Sequence, residues 1–157
     1  PVGISVPTLK AGEINALESN YVNFVTNEYK RNYIKNGCCL DGEWIDAILG
    51  GDWIAIKMRE KLYDIFMSTP NIPYTDAGFA MVAAGVFEIL DKATDYAIIA
   101  ENPESKAGEY EVTVPKRSEA TDIQAATRQM PNISWEALLG GAVHGVKVKG
   151  LLKVSLS

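Results

Sequence analysis

The chain has 157 residues, a formal net charge of −5 and a sequence pI near 4.9. That length fits one domain able to bury a core without staples. The acidic balance argues against a nucleic-acid binder, which shows a basic patch, and gives no support for docking on an anionic membrane; no apolar run approaches the roughly 18 residues of a spanning helix, and no signal peptide is visible. The first residue is proline, so the chain reads as a fragment or processed form of something longer. Two adjacent cysteines, Cys38 and Cys39, are not a disulfide framework. On a strand they point to opposite faces, one buried and one exposed, and a reducing compartment is the default.

Taken in chain order, "PVGISVPTLKAGE" has two prolines, two glycines and no helical period, and reads as an extended arm. "KAGEINALESN" makes a short helix with Ile14 and Leu17 on one side. "YVNFVTNEY" is β-branched and aromatic with period-two alternation, which predicts a strand. In "NYIKNGCCLDGEWIDAIL", Asp41-Gly42 between two apolar runs predicts a type I′ hairpin. "EWIDAIL" is then the returning strand, with a helix start as the alternative. Gly50-Gly51 ends it, and Asp52 is placed as the N-cap of the next helix. "WIAIKMREKLYDIFMS" has Ile54, Met58, Leu62, Ile65 and Phe66 on one face, with Lys57, Glu60, Lys61 and Asp64 on the other. "TPNIPYTD" breaks it. A second long helix follows in "AGFAMVAAGVFEILDKATDYAII", with a stripe of Phe79, Val82, Val86, Ile89, Leu90 and Ala93. Its small residues Gly78, Ala83, Ala84 and Gly85 permit close approach of a neighbour. "ENPESKAGE" is a polar loop and "YEVTVP" a strand stopped by Pro115. Thr121 and Gln124 form a capping box before "DIQAATRQ". "ISWEALLGG" leads into the last element.

The end of the chain carries the clearest pattern. From Ala142, one face reads Ala142, His144, Val146, Val148, Gly150, Leu152, Val154 and Leu156. The other reads Val143, Gly145, Lys147, Lys149, Leu151, Lys153 and Ser155. This is a period-two strand, much longer than the usual five or six residues. It reads either as an ordinary last strand or as one donated to the sheet edge of another copy, where main-chain bonds and alternate side chains give the contact. The lysines fit a managed edge or an acidic neighbour in an assembly.

The residues supply little for catalysis. His144 is the only histidine and lies on the apolar face of the last strand. Cys38, Cys39 and His144 exhaust the soft metal ligands, and no Cys-x-x-Cys or His-x-x-x-His occurs. "GGDW" lacks the Lys-Ser/Thr of a P-loop. No cofactor or metal site is expected. The competing class is a small α+β enzyme or ligand-binding module using Trp44, Asp46, Asp52, Cys38 and His144. The simpler reading makes Asp41 a turn residue, Asp52 a cap, and Trp44 and Trp53 core anchors.

Three stretches, "GEWIDAILGGDWIAIKMREKLYDIF", "IPYTDAGFAMVAAGVFEIL" and "GGAVHGVKVKG", resemble the C-terminal half of bacteriophage contractile-tail sheath proteins, in the sheath-like group of large myophages and prophages. The resemblance covers about residues 14–150. Full sheath subunits are several hundred residues long, which agrees with the fragment reading. The resemblance implies a structural subunit and no enzyme: a domain of the inner sheath layer around the tail tube, whose terminal arms complete the sheets of neighbours and which contracts during DNA injection. The partners it implies are other copies of the chain in a helical homo-oligomer, the tail tube protein and baseplate proteins. The place it implies is the virion, with the host cytoplasm during assembly.

The expected fold is α+β, a two-layer sandwich with a mixed sheet covered by two long helices and extended arms at both ends. The expected divisions are an arm over 1–12, the sheath-type domain over 13–149 and a strand arm over 150–157. Val146, Lys147, Val148, Lys149, Leu151, Leu152, Lys153 and Val154 are the expected subunit-interaction residues.

Overall fold

The computed structural model describes residues 6, 8–28 and 30–143. The chain is α+β. Helix α1 (Ala11–Ser19) is followed by strands β1 (Phe24–Glu28) and β2 (Arg31–Lys35), then the two long helices α2 (Ile45–Ser68) and α3 (Asp76–Asp95). Strand β3 (Tyr110–Thr113), a 3₁₀ turn (Arg117–Glu119), helix α4 (Asp122–Thr127) and strand β4 (Ser134–Ala137) complete the described residues. The strands form two separate antiparallel pairs, β1 with β2 and β3 with β4.

The core lies where α2 and α3 pack side by side under β3. Ile54, Val86, Leu90, Ala93 and Ile99 are its buried centre, with Trp53, Met58, Leu62, Tyr110, Val112 and Ile133 against it. The predicted stripe of α3, from Phe79 to Ala93, is buried at every position. Gly85 explains how closely the helices approach: a Cβ there would run into Ile65 Cδ1 and lie 3.3 Å from Lys61 Cγ. The start of α3 is tied three ways. Thr75 Oγ1 accepts from Gly78 N–H at 3.3 Å, Asp76 accepts from the Arg117 amide, and the Arg117 guanidinium lies 4.7 Å over the Tyr74 ring. The Thr121–Gln124 capping box forms as its spacing predicts, with Thr121 Oγ1 accepting from Gln124 N–H at 3.2 Å.

Five local expectations are corrected. "EWIDAIL" is not a returning strand: only an isolated bridge joins Cys38 to Trp44, and α2 begins at Ile45. Gly50-Gly51 does not end an element, and Asp52 is not a cap, since all three lie inside α2. Each glycine costs a helix interior about 1 kcal/mol. Gly50 is nonetheless required, because a Cβ there would sit 2.7 Å from Ile98 Cγ2. The Asp41-Gly42 turn exists but is not type I′. Cys39 N–H donates to Glu43 O at 2.7 Å, Gly42 N–H donates to Cys39 O at 3.0 Å, and only Gly42, at φ +92°, has positive φ. That is a three-residue loop closed by a glycine bulge. Asp41 is the turn residue expected, accepting from Glu43 N–H at 3.1 Å. Trp53 anchors the core and meets Tyr96 edge-on at 5.2 Å, whereas Trp44 stays 43% exposed and is no core anchor.

Candidate assembly surface

The side chains of the competing catalytic reading do not converge among the described residues. Cys38 is buried under the first hairpin region, and its thiol points toward Tyr21 O at 3.8 Å; Cys39 is half-buried. Asp46 and Asp52 are six positions apart on one helix, which sets them on different faces. Asp46 is occupied by backbone: Oδ1 accepts from Ala47 N–H at 3.0 Å and Oδ2 from Ala142 N–H at 3.1 Å. Asp52 is exposed on α2. His144 and all eight expected interaction residues, Val146 to Val154, lie outside the described residues. No group of three or more metal-ligating side chains occurs among the described residues. No described helix is long and apolar enough to cross a membrane.

A groove of about 450 Å³ runs between the long helices, lined by Trp53, Lys57, Lys61, Glu88, Lys92 and Tyr96. Its lysines are already paired. Glu88 takes Lys61 at 2.6 Å and Lys92 at 2.7 Å, and Lys57 meets Glu60 at 2.7 Å. The two lysines, bonded first and attracting second, hold the Glu88 carboxyl down at about 2. Elsewhere on α3, burial and then the bond to Asp91 push the Tyr110 hydroxyl up to about 12. That bond ties β3 to the helix.

What the fold leaves open is backbone edge and apolar flank. Each sheet has only two strands among the described residues, so each strand has one paired edge and one without a strand neighbour there. Strand β4 is exposed at all four residues. Trp135, which faces the same way as the half-buried Val112 opposite it, is still 40% exposed. On the other face Glu111 and Glu136 are direct cross-strand partners, a like-charge pairing that costs a sheet stability. The sequence reading missed both glutamates, because the four-residue alternation of Ser134–Ala137 was not recognised as a strand and nothing local sets Glu136 opposite Glu111. The outer flank of α2 is also apolar: Leu49, Ile56 and Tyr63, seven residues apart, are 61%, 54% and 69% exposed.

Open strand edges and an apolar helix flank around one small core are the surfaces of an α+β assembly domain. Residues 45–151 match the family described as "E217 tail sheath protein gp31-like, C-terminal domain", and the chain belongs to that family. The family is one of structural phage tail components. No curated protein matches the chain.

Proposed function

We propose that this chain is a structural domain of a contractile phage tail sheath, which polymerises around the tail tube by strand exchange between copies and contracts during DNA injection. The family match over residues 45–151 carries the reading. Two features support it. The sheets are two-stranded among the described residues, so their edges are available to a third strand. The alternating run over 146–156 is long enough to be that strand. Bond for bond, an added strand gains main-chain hydrogen bonds, and its alternate side chains set the register. Other copies, the tube protein and the baseplate are the partners of this reading. The virion, reached by assembly in the host cytoplasm, is its place.

The test removes the residues from Gly150 onward in the full-length sheath protein. The helical signal by circular dichroism is expected to stay, because the core residues all precede Gly140. Regular sheaths in negative-stain micrographs are expected to vanish. Regular sheaths from the truncated protein would show that the last strand is not the link.

A further inference from the structure

We propose that the open edge of β4 is the acceptor for the chain end of a second copy, with Glu111 and Glu136 recognising Lys147 and Lys149. This rests on the strand-exchange reading and names the surface that reading leaves unassigned.

Three observations point to β4. Its ladder has one partner, β3, among the described residues, and it is exposed along its whole length. Its core-directed face is incomplete, since Trp135 is 40% exposed beside a half-buried Val112. Its outer face opposes Glu111 to Glu136. Left alone, the two-stranded sheet sets two like-charged residues directly opposite each other, where Cβ atoms stand about 5 Å apart and like charges are destabilising. A third strand bearing cations on that face relieves the repulsion.

The chain end has the matching period. Val146 and Val148 fall on one face and Lys147 and Lys149 on the other. Laid beside β4, the valines extend the face of Trp135 and Ala137, and the lysines extend the face of Ser134 and Glu136. A slip of one residue would set valines beside glutamates and lysines beside tryptophan, so the charges fix the register as well as the partner. The β1–β2 pair offers no such match: its cross-strand partners include Asn27 with Asn32 and Phe24 with Lys35.

The test uses two variants of the 157-residue chain, their mixture, a chain carrying all four changes and a chain truncated before Val146. The edge variant carries Glu111→Lys and Glu136→Lys, and the strand variant carries Lys147→Glu and Lys149→Glu. The edge change replaces one like-charge pair with another, so folding is expected to be unchanged, with circular dichroism as the control. In sedimentation at low salt the wild type is expected to self-associate, and each variant alone to do so about tenfold more weakly, as a few surface ion pairs converted to repulsions would give. An equimolar mixture is expected to recover association. The lysine edge of one variant then meets the glutamate strand of the other, and the wild-type edge of the second meets the wild-type strand of the first. Added salt is expected to flatten all these differences, because screening acts within about 8 Å at physiological ionic strength. Recovery only when all four changes sit in one chain would place the contact within a copy and overturn the proposal. So would a wild type that stays monomeric at every concentration. If the edge variant associates like the wild type while the strand variant does not, strand donation stands and the acceptor lies elsewhere. If both associate like the wild type, and so does the chain truncated before Val146, strand donation itself fails.

Discussion

Helices α2 and α3 lie side by side, are nearly equal in length, and are embedded very differently. Nine of the 20 residues of α3 are buried, against two of the 24 of α2. Helix α3 has α2 along one side and β3 near its end, through Phe87 with Tyr110 and Asp91 with Tyr110. Helix α2 gives one side to the core and keeps a second apolar side outward, through Leu49, Ile56 and Tyr63. Apolar spacing along a sequence thus announces a helix but not how many neighbours it has. A stripe that the domain itself does not cover is surface for something else.

The sharpest way to break this comparison is to truncate one large side chain on each helix. Leu90 is fully buried, and Leu90→Ala is expected to cost about 3 kcal/mol, the usual scale for a leucine cavity. Met67 is 69% exposed at the end of α2, and Met67→Ala is expected to stay within about 0.5 kcal/mol. Urea midpoints measure both, and equal losses would mean that α2 is covered in solution. A smaller effect is expected from Gly78→Ala in the first turn of α3. Alanine favours a helix by about 1 kcal/mol, but a Cβ there would run into the Pro73 carbonyl and meet Ile72 Cγ2 at 3.3 Å. Backbone must move, so a net loss of about 1–2 kcal/mol is expected in the same assay; a gain would mean that the α2–α3 connection yields freely.

The smallest effect concerns the ion pairs that join the helices. Glu88 is held at about 2, below its ordinary 4.5, by Lys61 of α2 and Lys92 of its own helix. A depressed carboxyl stabilises the folded state above its unfolded value and loses that contribution as pH falls through the folded one. The window is therefore about pH 4.5 down to 2, and Glu88→Gln is expected to flatten the acid-denaturation profile there. The carboxylate is partly exposed, so the change is small. An unchanged profile would mean that the pairing with Lys61 adds nothing to helix contact.

Much of this fold was legible because burial follows period. The α3 stripe, the Thr121 cap and the β1 run each carry their instruction locally. The start of α2 did not. Trp44-Ile45 look like strand and Gly50-Gly51 like a stop, yet Ile98, nearly fifty residues away, needs a glycine opposite it. Strand β4 was hard to read for a related reason: in "SWEA" Trp135 and Ala137 alternate with Ser134 and Glu136 over four residues alone, and the run is a strand because β3 pairs with it. Of the proposed assembly surface, the lysine-bearing alternation was readable as a pattern, whereas its proposed acidic acceptor exists only once two distant glutamates are brought opposite each other.

The bond between Asp46 and the Ala142 amide has a mechanical consequence. The chain reaches Val143 through a row of separate ties: Leu138 N–H to Glu109 O at 2.9 Å, Gly140 N–H to Ile98 O at 2.8 Å, then Ala142 N–H to Asp46 Oδ2 at 3.1 Å. Tension on the residues beyond Val143 meets the last of these first. That tie is single, exposed and anchored on the opening turn of α2, so it yields before the pairing of β3 with β4 is loaded. A pull through the chain end is therefore taken up in steps, with the outermost tie acting as slack and the helical core as the fixed post.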